Sequence, residues 1–238
     1  PGVVLGNVVI DATGDADLAA WAGAPFEYGN GRDAFTYWAS FANFNEEKRS
    51  ASRQYESAIE IRDPYDFTRT IITGRRRQGM WKYLAHEMPQ LYVAPRESRR
   101  IRGDATVTYG GILAGETVPD LVTVCESNFD IKGLATSDLI CSGVIWSWNT
   151  FKTYRAAVPY RAILPKGIDN LLVVGKSYSA SHDALALARM QRDMGCLGAS
   201  GGMAAAASVR SGIPLRELDI AALQEEFVAQ GTLFPDDL

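Results

Sequence analysis

Asp11-Ala12-Thr13-Gly14-Asp15 follows the apolar run Val8-Val9-Ile10, and Gly175-Lys176-Ser177 follows Leu171-Leu172-Val173-Val174. Each pattern predicts a buried strand that enters a glycine-containing turn and then opens a helix. That geometry aims backbone N–H groups at an anion, such as the diphosphate of a dinucleotide. The candidate contacts are Ala12, Thr13, Gly14 and Asp15 on the first turn, and Gly175, Lys176 and the hydroxyl of Ser179 on the second. A third stretch, Gly195 to Met203, leads into Ala204–Ala207. Read as a helix entrance, its Gly198, Ala199, Ser200, Gly201 and Gly202 expose N–H donors and allow close packing on a ring. The plain alternatives are a strand–turn–helix corner capped by Asp15 and a tight Ala/Gly helix crossing.

The elements that position these residues follow from periodicity and punctuation. Val3–Ile10 reads as a strand, and Ala16–Ala22 as a helix ended by Gly23 and Pro25. Phe35–Phe44 reads as a strand. Glu46–Ile61 and Asp66–His86 have the charged composition and apolar spacing of amphipathic helices. Pro89 and Pro95 bracket an extended segment, and Arg99–Thr108 and Leu121–Phe129 read as strands with glycine loops between them. Trp146–Ala157 reads as a strand or hairpin arm, Pro159–Pro165 as an extended connector and Asn170–Gly175 as a strand. Helices are expected over Ser181–Met194, Gly201–Ser211 and Leu218–Gln230, the last with Asp219 near its start. The fold class is α/β (α+β overall). Residues 1–27 and 165–238 form a nucleotide-binding layer, and 28–164 an inserted, largely antiparallel β block.

Composition narrows the function. The 238 residues carry a net charge of −4 with mixed signs, which argues against a nucleic-acid partner. No apolar run is long enough to span a membrane. Cys125, Cys141 and Cys196 lack zinc or disulfide spacing, and His86 and His182 are too few for a histidine metal centre, so no metal is expected. The start carries no signal peptide, which leaves localisation open.

Three stretches together resemble the FAD-dependent oxidoreductases of the glutathione-reductase-like superfamily. They are Val8–Gly23, then Arg96–Gly133 with Glu97-Ser98-Arg99-Arg100-Ile101-Arg102-Gly103, then Pro159–Arg161 with Asn170–Ser181 and Arg189–Ala207. The resemblance implies FAD as cofactor in a split Rossmann-like layer with an inserted substrate domain. It implies Thr13 and Gly14 near the adenosine or diphosphate, Gly175 and Lys176 near the ribityl diphosphate, and Gly198–Gly202 near the isoalloxazine ring. Lys176 stands where the family commonly has Arg, and Lys132 where it often has His two residues after the aspartate matching Asp130. The family's strand–GxGxxG–helix does not occur in these residues. The resemblance therefore implies the C-terminal part of a flavoenzyme, completed by an upstream segment or by a second polypeptide.

Within that reading His182 is the candidate base for hydride transfer from a small polar substrate (a sugar, cyclitol, alcohol or amine). The alternative is a helix-start histidine bonded locally. Arg189, on an otherwise apolar helix face, holds a substrate carboxylate or flavin oxygen, or pairs with Asp183 or Asp193. Only one of Arg99 and Arg100 can point inward from a strand. Trp146, Trp148, Tyr154 and Tyr160 line a substrate pocket or pack the core. The competing functions are a non-catalytic subunit that completes a partner's nucleotide-binding fold and an NAD-linked dehydrogenase.

Overall fold

Leu171–Val173 forms strand β9 and is buried throughout, the mark of a parallel strand covered on both faces. It pairs in parallel with β1 (Val9–Asp11), in the register Val9↔Leu171, Ile10↔Leu172 and Asp11↔Val173. A crossover of most of the chain's length separates the two, and the pairing joins the outer segments of the sequence. The computed structural model describes residues 2–29, 36–41, 53–58, 63–69, 72, 91–129 and 152–238.

Helix α1 (Asp17–Trp21) returns from β1. Its Ala16 and Ala19 sides, with Ala24, pack on Ile101, Leu171 and Val173 as a small core. Strands β2 (Phe26–Tyr28) and β6 (Arg99–Ile101) pair antiparallel beside it. Strand β3 (Thr36–Phe41) is the centre of a separate antiparallel sheet between β4 (Arg53–Ala58) and β5 (Leu91–Pro95). Residues 64–69 form helix α2, and α3 spans Tyr109–Ala114. Strands β7 (Leu121–Ser127) and β8 (Tyr154–Pro159) form the last antiparallel pair.

Helices α4 (His182–Leu185), α5 (Gln191–Ser211) and α6 (Ile220–Ala229) follow β9. Asp219 caps α6 by accepting from the N–H groups of Ala221 and Ala222 at 3.0 and 3.3 Å. Leu223 and Phe227, one turn apart, bury the inner face of α6. The larger core joins Val122, Cys125, Val158 and Ile163 to Leu172, Leu197, Ala204 and Phe227. Burial pushes the Cys125 thiol well above its usual range, so it packs as a small hydrophobe. The fold is α/β, with one parallel strand pair and several antiparallel ones among the described residues. No described helix is long and apolar enough to cross a membrane.

Several local expectations are corrected. Of the stretch 3–10 only Val9 and Ile10 are strand, with Asp11 completing β1, while Val3, Val4 and Leu5 are 86–95% exposed. Arg53–Ala58, expected as helix, is strand β4, because antiparallel pairing with β3 outweighs its local helix propensity. The glycine loop at 110–111 is helical. Thr108 caps α3 through its hydroxyl, and Gly115 ends it in the left-handed conformation at φ 67°. Tyr160–Ile163 is a 3-10 turn instead of an extended connector. The strand expected over 99–108 stops at Ile101, leaving isolated bridges at Gly103 and Val107. Trp146, Trp148, Cys141, His86 and the Asp130–Lys132 pair lie outside the described residues.

Candidate functional site

The β1–β9 pairing sets the turns that follow these strands side by side. Asp11, 1% exposed at the end of β1, locks the first of them. Its Oδ1 accepts from the backbone N–H and hydroxyl of Thr13 at 3.0 and 2.7 Å, and its Oδ2 from the Ala19 N–H at 2.8 Å. Thr13 Oγ1 accepts in turn from the Asp17 N–H at 3.0 Å. Thr13, not Asp15, therefore satisfies the start of α1, which corrects the expected cap. These bonds hold Ala16 at φ 51°, an uncommon conformation for a residue with a side chain.

Asp15 faces the second turn instead. Lys176 Nζ lies 2.9 Å from Asp15 Oδ1 and also donates to the Gly14 carbonyl. Arg99 Nη1 donates to the Asp15 carbonyl at 3.1 Å and to Asp17 Oδ1 at 2.6 Å. Burial alone would raise the Asp15 carboxyl, but hydrogen bonds from Lys176 and Ser98 and the charges of Lys176 and Arg99 hold it below its ordinary value. Ala12 and Thr13 stay exposed. Gly14 and Gly175 sit at φ 79° and 78°, where a side chain is strained, and a Cβ on Gly175 would meet nothing within 4 Å. Beside Gly175, the fully buried Ser177 hydroxyl has no hydrogen-bond partner among the described residues.

The segment Glu97–Arg100 divides its side chains between two jobs. Ser98 and Arg99 serve the first turn. Glu97 and Arg100 are 3% and 1% exposed and turn inward. Arg100 Nε lies 2.8 Å from Glu97 Oε1, and the guanidinium also donates to the carbonyls of Ala180 and Gly29. Glu97 Oε2 meets Nδ1 of His182, which opens α4 behind its Ser181 cap. The strand alternation thus buries Arg100 and leaves Arg99 partly open, as expected.

Other expected site residues fall elsewhere. Gly198, Ala199, Ser200, Gly201 and Gly202 lie inside α5, which begins at Gln191. Their N–H groups belong to the helical ladder and are not the free donors of a helix entrance. Ser200 donates its hydroxyl to the Val122 carbonyl at 2.8 Å. Gly201 faces β9, and a Cβ there would stand 2.7 Å from Val174 Cγ1. Gly198 and Gly202 keep an open side, with nothing within 4 Å. Ser179 is buried, 2.8 Å from Thr106 Oγ1. Arg189 lies in the turn after α4 and not on a helix face, and Asp193, one of its expected partners, is bound by Arg192 at 2.8 Å. Sequence reasoning missed Asp11, although an aspartate two residues before a threonine at a strand end is a turn signal. It also missed the pairing of Glu97 with His182, which no local pattern announces.

The model of the family described as FAD dependent oxidoreductase matches residues 1–88 and 54–227. The chain belongs to this family. No match is found among curated proteins or among solved structures. FAD is the cofactor that the family implies. The paired turns of this oxidoreductase fit such a group. Ala12 and Thr13 are exposed, the space over Gly175 is open, the Lys176 ammonium lies between the turns, and the Ser177 hydroxyl is buried beside them. Lysine can serve a phosphate as a point charge, without the bidentate geometry of arginine.

Proposed function

We propose that the oxidoreductase binds FAD across the paired turns and accepts a hydride from a carbon bearing oxygen or nitrogen on a small polar substrate, such as a sugar, cyclitol, alcohol or amine. The observation that carries this reading is the β1–β9 register, which sets Ala12–Asp15 beside Gly175–Lys176. FAD supplies the electron chemistry when bound, and the protein supplies orientation and proton transfer. Ala12, Thr13, Gly14, Gly175 and Lys176 serve the phosphates and ribityl chain, and Asp15 holds Lys176 between them. The open sides of Gly198 and Gly202 leave room for a flat ring. His182 takes the substrate's O–H or N–H proton, and Arg189 orients the substrate or a flavin oxygen.

A further segment or polypeptide completes the layer in this proposal. The parallel sheet has two strands among the described residues, and Val9 is 43% exposed, whereas parallel strands are ordinarily covered by neighbours. Residues 1–27 and 165–238 then carry the cofactor and 28–164 the substrate. This is a division of labour and not of packing, since the larger core crosses residue 165.

The experiment is a visible spectrum of the protein, alone and with its completing segment, followed by anaerobic substrate titration. Flavin absorbance that bleaches with substrate is expected. His182→Ala should retain the absorbance and bleach about 10²-fold or more slowly. Bleaching at the parent rate would remove His182 as the base. A colourless protein in both preparations would favour a non-catalytic subunit.

A further inference from the structure

Glu97 is a buried carboxylate whose two oxygens have different partners. Oε1 lies 2.8 Å from Arg100 Nε, and Oε2 meets His182 Nδ1. Both partners are inside the protein, with side-chain exposures of 2% for Arg100 and 7% for His182. Arginine only donates, and a carboxylate only accepts. The contact at Nδ1 is a close approach without aligned hydrogen-bond geometry, and a carboxylate oxygen against that nitrogen favours the tautomer with the hydrogen on Nδ1, which leaves the lone pair of the neutral imidazole on Nε2. Arg100 is itself held by the Ala180 and Gly29 carbonyls, which fixes the positive charge that faces the carboxylate.

We propose that Glu97 is a positioning residue for proton transfer at His182: it holds the hydrogen on Nδ1 and makes Nε2 the basic nitrogen, with Arg100 fixing the carboxylate. The proposal rests on the reading of His182 as the base. In the step, the substrate's O–H or N–H bond breaks and its proton passes to Nε2. The neighbouring C–H bond breaks and its hydride goes to FAD, the oxidant. The carbon is left doubly bonded to oxygen or nitrogen. The imidazolium formed faces the Glu97 carboxylate, which balances its charge.

Nitrogen-15 NMR of histidine-labelled, FAD-loaded protein tests this. The chain has two histidines, His86 and His182, so His86→Asn assigns the spectrum. In the parent, neutral His182 is expected to show a protonated Nδ1 and an unprotonated Nε2. In Glu97→Gln the amide must turn its carbonyl to Arg100, which cannot accept. The NH2 group then faces Nδ1, which must accept, and the hydrogen moves to Nε2. The tautomer inverts, flavin stays bound, and flavin reduction by substrate slows by about 10²–10⁴-fold.

A parent His182 protonated on Nε2 overturns the proposal, and that measurement needs no variant to fold. So does a Glu97→Gln protein that keeps the hydrogen on Nδ1 or reduces flavin at the parent rate. A slow His182→Ala beside a normal Glu97→Gln sinks this proposal alone. A His182→Ala that reduces flavin normally sinks the base reading beneath it.

Discussion

Asp15 and Lys176 lie more than 160 positions apart yet close the gap between two turns. Lys176 satisfies a carbonyl and a carboxylate at once, so part of its charge is already neutralised before any phosphate arrives. The pair is partly exposed, with side chains 41% and 23% accessible, which limits its worth to the range of a surface ion pair, about 1 kcal/mol or less. Its pH dependence has a definite sign. The folded carboxyl lies below its ordinary value of 3.8, so the stabilisation is fully present above that value and fades as pH falls through the lower folded value. Urea melts should show Asp15→Asn less stable than the parent at neutral pH, with the gap closing below about pH 4. A gap independent of pH would mean that the carboxylate charge is not what holds Lys176.

Glycines on α5 show what the helix is for. Gly201 packs against Val174, the residue after β9, and its missing side chain leaves room for that valine. Gly201→Ala gains about 1 kcal/mol of helix propensity but forces a buried clash, for which overpacking costs about 1–3 kcal/mol. The melting temperature should fall or stay level. Gly198→Ala gains the same propensity with nothing in the way, so its melting temperature should rise. If both variants melt alike, α5 does not seat on Val174 as described.

The buried strand at 171–173, the helix close to 218–230 and the helix end at Ser211 were legible, because each rests on neighbours in sequence. Strand β4 was not, because its composition favours helix and only pairing with β3 makes it a strand. The start of α5 was misplaced because small residues from Gly195 onward imitate a helix entrance. At the site, the turn at Ala12–Asp15 and the glycine at 175 were legible as strand-end turns. The Thr13 cap, the Asp11 lock and the Glu97–His182 contact were not, since each needs tertiary placement.

Across the whole molecule the charge is −4, which repels an anionic dinucleotide at long range. Binding then depends on local cations, and the paired turns gather two of them, Lys176 and Arg99, around Asp15. The β1–β9 pair links the first residues of the sequence to its last third, so cofactor bound there would stabilise both ends together. Amide hydrogen exchange on the native protein, with and without FAD, tests this most directly. Residues 12–15 and 174–177 should slow together when FAD is added. Slowing at one turn alone, or at neither, would contradict a cofactor held between them.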